Sequence, residues 1–145
     1  MAKTYTIDAS VFINAFNPAE AGHTESQHLL AQLRDQATPI IGPTLVLPEV
    51  SAAIRRGRDD ESLARRFVAA LGRLPHLVLI SLDQSLAQQA SDVAAQYSLR
   101  GSDAVYTAVA LRFGSTLITL DREQHERVAS ALTTHTPTEA LTEGT

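Results

Sequence analysis

From its amino terminus the chain alternates short β-prone runs with longer stretches of helical periodicity. Thr4-Tyr5-Thr6-Ile7 alternates polar and β-prone residues and predicts a strand; Asp8, a small residue and Ser10 follow before a helical pattern begins. Ser10 to Phe16 predicts a short helix closed by the turn signal Asn17-Pro18, and Thr24 to Gln36 a second, with Leu29, Leu30 and Leu33 at helical spacing. Pro39-Ile40-Ile41 is long enough only for a brief strand. Gly42-Pro43-Thr44 then introduces a helix capped near Thr44 or Leu47, with Pro48 in its first turn, where a missing N–H costs least. That helix runs through Val50, Ala53 and Ile54 to about Gly57. Asp59-Asp60-Glu61 places acids at the positive end of the next one, whose buried stripe is Phe67, Val68 and Leu71.

Leu77-Val78-Leu79-Ile80 is a continuous apolar run of the kind buried on both faces of a parallel sheet. Asp83 to Tyr97 predicts a helix with Leu86, Ala90 and Val93 inward. Gly101-Ser102 caps an alanine-rich helix, Asp103 to Phe113, which Gly114 ends. Ser115 to Thr119 reads as a strand, Asp121 to Leu132 as a last helix, Thr133 to Thr136 as a short edge strand, and the final ten residues as polar and loose. Strands alternating with helices mean a parallel sheet covered on both faces. The fold class is therefore α/β, with one domain over residues 1–141 and a loose tail at 142–145.

Composition narrows the chemistry. The absence of cysteine excludes disulfides, thiolate zinc sites and cysteine nucleophiles, and is compatible with a reducing cytoplasm, the expected location. Met1-Ala2-Lys3-Thr4 runs into a strand, so no signal peptide is expected, and no apolar run approaches a membrane span. The net charge of −4 argues against a generally basic nucleic-acid coat. Arginine is clustered, however. Six of eleven (Arg55, Arg56, Arg58, Arg65, Arg66 and Arg73) fall in one stretch, and guanidinium forks match phosphate oxygens. A solvated helix pair explains the same cluster.

Four acids fall where such a sheet gathers its ligands. Asp8 and Asp121 each follow a predicted strand, and Asp103 and Glu49 lie in first turns of helices after glycine-containing loops. Each has an ordinary structural explanation: Asp8 and Asp121 as helix caps, the latter with Gln124 three residues on, and Asp103 as an acid favoured by a helix dipole. Glu49 is harder to explain, since Leu45, Val46, Ala52 and Ala53 surround it at helical spacing and no cation is placed to pair with it. A metal would serve as its partner. Four converging carboxylates repel unless a cation neutralises them, and an all-oxygen set favours Mg²⁺, or Mn²⁺, over zinc. Mg²⁺ retains waters that can act as nucleophiles, and two ions ~4 Å apart would stabilise both attacking and leaving oxygens of a phosphodiester.

Four segments, in order, resemble the PIN domain family and within it the toxin half of VapBC-type toxin–antitoxin pairs. They are Ile7-Asp8-Ala9-Ser10-Val11, Leu47-Pro48-Glu49-Val50, Arg100-Gly101-Ser102-Asp103-Ala104-Val105-Tyr106-Thr107-Ala108-Val109-Ala110, and Leu117-Ile118-Thr119-Leu120-Asp121-Arg122. The resemblance spans Thr4 to about Leu141. It implies a five-stranded parallel sheet, Mg²⁺- or Mn²⁺-dependent endoribonuclease activity, a homodimer, and a VapB-type antitoxin that blocks the site and carries the pair to operator DNA. It also implies that Asp8, Glu49, Asp103 and Asp121 form the acidic quartet. Asp8 and Asp103 would be the most direct ligands, and Ser10 and Thr119 hydroxyls that orient ligands or water. Two other readings stand beside this one: a PIN-like module acting mainly through an antitoxin on DNA, and a PIN nuclease of RNA maturation without an antitoxin.

Arg100 and Arg122 adjoin two of the acids and read either as phosphate clamps or as carboxylate partners on solvated surface. The five histidines lack metal-ligand spacing, though His125 follows Asp121 by one helical turn. Nothing resembles a serine-hydrolase elbow or a nucleotide-binding glycine loop. Ala9, Val11, Phe12, Phe16, Leu45, Val46 and Val50 read as core, part of which could face a second subunit or an antitoxin helix.

Overall fold

Why the chain places acids at one edge becomes clear from the order of its strands. The computed structural model describes residues 3–143. In chain order the elements are β1 (Tyr5–Ile7), α1 (Ala9–Phe16), α2 (His23–Asp35), β2 (Ile40–Pro43), α3 (Val46–Arg58), α4 (Glu61–Gly72), β3 (Leu77–Ile80), α5 (Gln84–Tyr97), α6 (Gly101–Phe113), β4 (Thr116–Ile118), α7 (Arg122–Val128), β5 (Thr134–His135) and α8 (Pro137–Glu143). All five strands are parallel, in the order β3-β2-β1-β4-β5. The chain builds outward from β1 to β3, crosses back over the sheet through α5 and α6, and builds outward again from β4. The order therefore reverses between β1 and β4, where Ile7 lies beside Ile118. A crevice opens at the carboxyl ends of the strands flanking such a reversal.

Strand alternation divides the core. Ile40 packs with β1, β4 and helices α1 to α4, while its neighbour Ile41 turns to the cluster made by Leu86, Ala90 and Val93 of α5 with Ala104, Val105, Ala108 and Val109 of α6. Eight consecutive residues of α6, Asp103 to Ala110, are buried. Alanines at positions 104, 108 and 110 let the helix be covered all round without wide spacing. Gly114 ends α6 in the left-handed conformation (φ 65°), its N–H bonding the Ala110 carbonyl. Asp60 and Asp83 cap α4 and α5 through their side chains, as their positions predict.

Several expectations are corrected. β3 is an edge strand and not buried on both faces: Val78 is 47% exposed. Phe67 and Val68 are only half-buried, because α4 packs at the margin and leaves the deep positions to Ala64 and Leu71. The helix after β2 is preceded by Leu45, which makes no side-chain cap, in place of Thr44 or Leu47. The last predicted helix stops at Val128, four residues before Leu132. The final residues are not loose through 143, for α8 buries Pro137 and Ala140 and packs on α2 and β5. The remainder of the expected tail, residues 144 and 145, lies outside the described residues. Among the described residues no helix is long and apolar enough to cross a membrane.

Candidate active site

β1 delivers Asp8 and β4 delivers Thr119 side by side, continuing the Ile7–Ile118 register, with the Asp8 N–H donating to the Ile118 carbonyl at 3.0 Å. Asp8 is also the N-cap of α1. Its Oδ2 accepts from the Ser10 hydroxyl at 2.6 Å, the Ser10 N–H at 3.4 Å and the Thr119 hydroxyl at 3.3 Å. All three bonds fall on one oxygen, so among the described residues Oδ1 has no hydrogen-bond donor. The Thr119 hydroxyl has a single proton to share between Asp8 and Gln124 Oε1 at 3.0 Å, and it accepts from the Asp121 N–H at 3.0 Å. Ser10 Oγ in turn accepts from the Leu120 N–H at 3.3 Å. The two hydroxyls thus clamp the loop after β4 to the start of α1.

Glu49, in the first turn of α3, has the partner from elsewhere that its apolar neighbours demand. The Tyr106 hydroxyl of α6 donates to its Oε1 at 2.6 Å. Tyr106 is fully buried, and burial together with the adjacent Glu49 carboxylate pushes its phenol far above the ordinary range, so it stays a donor. Tyr106→Phe should leave the fold intact but free Glu49 to move. The expected cost is about 1 kcal/mol of stability, read from denaturant unfolding, with weakened metal binding if Glu49 needs this tether.

Asp103 and Asp121 share one guanidinium. Arg100 Nε donates to Asp103 Oδ2 at 3.1 Å and Nη2 to Asp121 Oδ2 at 2.6 Å. Asp121 Oδ1 accepts from the Gln124 N–H at 3.1 Å, capping α7. Buried Gln124 reaches back from α7 to donate to the Asp103 carbonyl at 3.1 Å, tying the start of α6 to the loop that carries Asp121. The capping explanation for Asp8 and Asp121 and the shared location of the acids are therefore compatible.

All four carboxylates line one cleft of about 540 Å³, together with Ser10 and two cations, Arg56 and Arg100. Desolvation raises the pKa of Asp8, with repulsion from Asp103 adding to it and the Ser10 hydroxyl partly offsetting it. Burial likewise raises Glu49, opposed by the Tyr106 bond and reinforced by Asp8 and Asp103. Asp103 is raised by burial in spite of Arg100. The chain's own cations thus leave this charge incompletely met. An oxygen-only donor set of this charge fits a hard divalent cation. Among the described residues no three carboxylates or histidines already converge as a ligand cluster. Arg100 lies between Asp103 and Asp121, so a cation using those oxygens would require side-chain movement.

The other sequence candidates separate. Arg100 lies at the acids, paired with Asp103 and Asp121. Arg122 is exposed at the start of α7 and does not line the cleft. His125 turns away, its Nε2 3.4 Å from Glu139. In the arginine cluster, Arg55 pairs with Asp59, Arg65 pairs with Glu61, and Arg58 lies over the Phe16 ring. Two residues have roles at the site that sequence spacing does not show: Tyr106, inside the Arg100–Ala110 segment, and Gln124, which reads only as a capping residue. Arg56, one of the clustered arginines whose forks match phosphate oxygens, follows Glu49 by two helical turns on the same face and lines the cleft.

A family model described as the PIN domain matches residues 5–130. No curated protein matches the chain. Among solved structures it is similar to Mycobacterium tuberculosis VapC20, a toxin described as cleaving the sarcin-ricin loop, at 18% identity over 88% of this chain and 95% of that one, with a TM-score of 0.70. It is also similar to Rickettsia felis VapBC2 bound to a DNA fragment from its promoter (14% identity, 92% and 98% coverage, TM-score 0.69). A third similar structure is PAE2754 of Pyrobaculum aerophilum (21% identity, 99% and 90% coverage, TM-score 0.68). At these identities the likeness is one of fold.

Proposed function

The chain belongs to the PIN domain family, and from that premise we propose that it is a Mg²⁺- or Mn²⁺-dependent endoribonuclease, the toxin of a type II toxin–antitoxin pair. The observation that carries the proposal is the gathering of Asp8, Glu49, Asp103 and Asp121 in one cleft at the reversal of strand order. Asp8, through its free Oδ1, and Asp103 would hold the cation most directly; Glu49 and Asp121 would complete the set, Ser10 and Thr119 fixing Asp8. A bound divalent ion supplies a polarised phosphoryl group and a water acidic enough to attack at neutral pH. The chain's own part is to fix the donors and to keep the Tyr106 phenol protonated beside Glu49. It also presents an open cleft to a strand of RNA.

The reading includes a VapB-type antitoxin, a homodimer, contact with operator DNA only through the antitoxin, and action in the cytoplasm. Structures such as the promoter-bound VapBC2 complex support the antitoxin. So does a second cleft of about 430 Å³, which shares no lining residue with the acidic one and is lined by Phe12, Phe16, Leu30, Phe67, Leu71 and Leu74, a surface that would bury an apolar partner segment. The test is incubation of cellular RNA with purified protein in Mg²⁺, in Mn²⁺ and in EDTA, beside Asp103→Asn. Discrete fragments that need both metal and Asp103 are expected. Unchanged cleavage by the variant would contradict the proposal.

A further inference from the structure

We propose that Arg56 holds a phosphate flanking the scissile one and so positions the RNA strand along α3, an inference that rests on the nuclease reading. Glu49, Ala52, Ala53 and Arg56 follow one another at the spacing of a single helical face, and all four line the acidic cleft. At 1.5 Å rise per residue, Arg56 lies about 10 Å along α3 from Glu49. The two alanines between them, with Ile13 of α1, form a low apolar floor. The cleft is thus a track, with the carboxylates at one end and a guanidinium at the other.

Arg56 and Arg100 are the cleft's cations, and Arg100 is held by Asp103 and Asp121. Among the described residues Arg56 makes no side-chain hydrogen bond or ion pair, whereas its neighbour Arg55 is bound to Asp59. A polyanion entering a cleft lined by four carboxylates is repelled. A guanidinium at the far end lowers that repulsion and can take two oxygens of one phosphate in a fork. Such a contact fixes the register of the strand without reading its bases. At this distance Arg56 does not touch the reacting atoms and is a positioning residue.

The test is steady-state cleavage of a defined single-stranded RNA by wild type, Arg56→Gln, Arg56→Lys and, as a control, Arg66→Gln. Arg66 is exposed on α4 and does not line the cleft. Arg56→Gln should raise KM about tenfold at low salt with kcat unchanged, and should flatten the salt dependence of binding by roughly 0.7 in the log–log slope, one single-strand phosphate contact. Arg56→Lys should restore part of the KM, and Arg66→Gln should change little. A neutral methylphosphonate placed in turn at each flanking position should weaken wild type at one position, and the glutamine variant not at all there. An unchanged KM and salt slope, or a fall in kcat alone, would overturn the role of Arg56 while leaving the nuclease standing. Failure of wild type to cleave RNA with any metal would overturn the nuclease reading and this inference with it.

Discussion

Asp8→Asn should lower metal-dependent RNA cleavage by more than about 100-fold and at the same time make the metal-free protein more stable. Both effects follow from one geometry. The hydroxyl and N–H donors that hold Asp8 all converge on Oδ2, and an asparagine carbonyl can accept them in the same place. Only the free oxygen changes, from an anionic donor to an amide nitrogen that cannot bind a cation. The stability gain comes from removing a buried charge, since the folded-state pKa of Asp8 is raised above its ordinary 3.8, chiefly by desolvation. An acid with a raised folded-state pKa binds its proton more tightly folded than unfolded. Its ionisation therefore destabilises the fold at pH values above the raised pKa, and the penalty disappears as pH falls below the ordinary value. In EDTA the thermal midpoint of Asp8→Asn should exceed that of wild type by most near neutral pH, and the difference should vanish toward about pH 4. Taking the difference between the two proteins cancels His76, whose lowered pKa acts in the opposite direction. Lost cleavage with lost stability at all pH values would mean that Asp8 is a structural cap and nothing more.

Arg100→Gln should tighten Mn²⁺ binding by up to about tenfold while lowering cleavage. Arg100 stands as an internal counter-cation between Asp103 and Asp121, and any ion using those oxygens must displace it or work against its charge. Without it the two carboxylates are released and the cleft becomes more negative. Asp103, whose pKa is raised by burial and held down in part by Arg100, would then bind its proton more readily, so the gain in affinity should be largest above neutral pH. Direct titration with Mn²⁺, followed by the ion's own magnetic resonance signal, reads the affinity without relying on activity. Weaker binding by the variant would show that Arg100 organises the ligands and does not compete with a cation.

What the residues revealed in advance depended on how local each feature is. The α/β class and the place of the acids were legible because hydrophobic periodicity sets the elements and a strand followed by an acid marks a sheet edge. The exposure of Val78 was not, since Leu77 to Ile80 is equally apolar whether central or peripheral, and only the completed strand order leaves it at the margin. α8 is not legible in the sequence because it buries few positions; its support comes from α2, more than 100 residues away in the chain. The apolar neighbours of Glu49 at helical spacing show that it needs a distant partner, for which a metal would serve. The immediate partner, the Tyr106 hydroxyl, lies 57 residues away on another helix, a pairing that sequence spacing alone does not reveal. Arg100 illustrates a third case: its neighbourhood was legible, but whether it faces phosphate or carboxylate depends on the approach of Asp121, carried there by β4 and Gln124.

The central claim is that a cation held by these acids drives water onto an RNA phosphodiester, and the fragment ends test it most directly. Attack by water with departure of O3′ leaves a 5′-phosphate and a 3′-hydroxyl, whereas attack by the RNA's own 2′-hydroxyl leaves a 2′,3′-cyclic phosphate and a 5′-hydroxyl. Fragments carrying 5′-phosphates, absent in EDTA and restored by Mg²⁺ or Mn²⁺, are the predicted result. Cyclic phosphate ends, or cleavage that persists in EDTA, would contradict it.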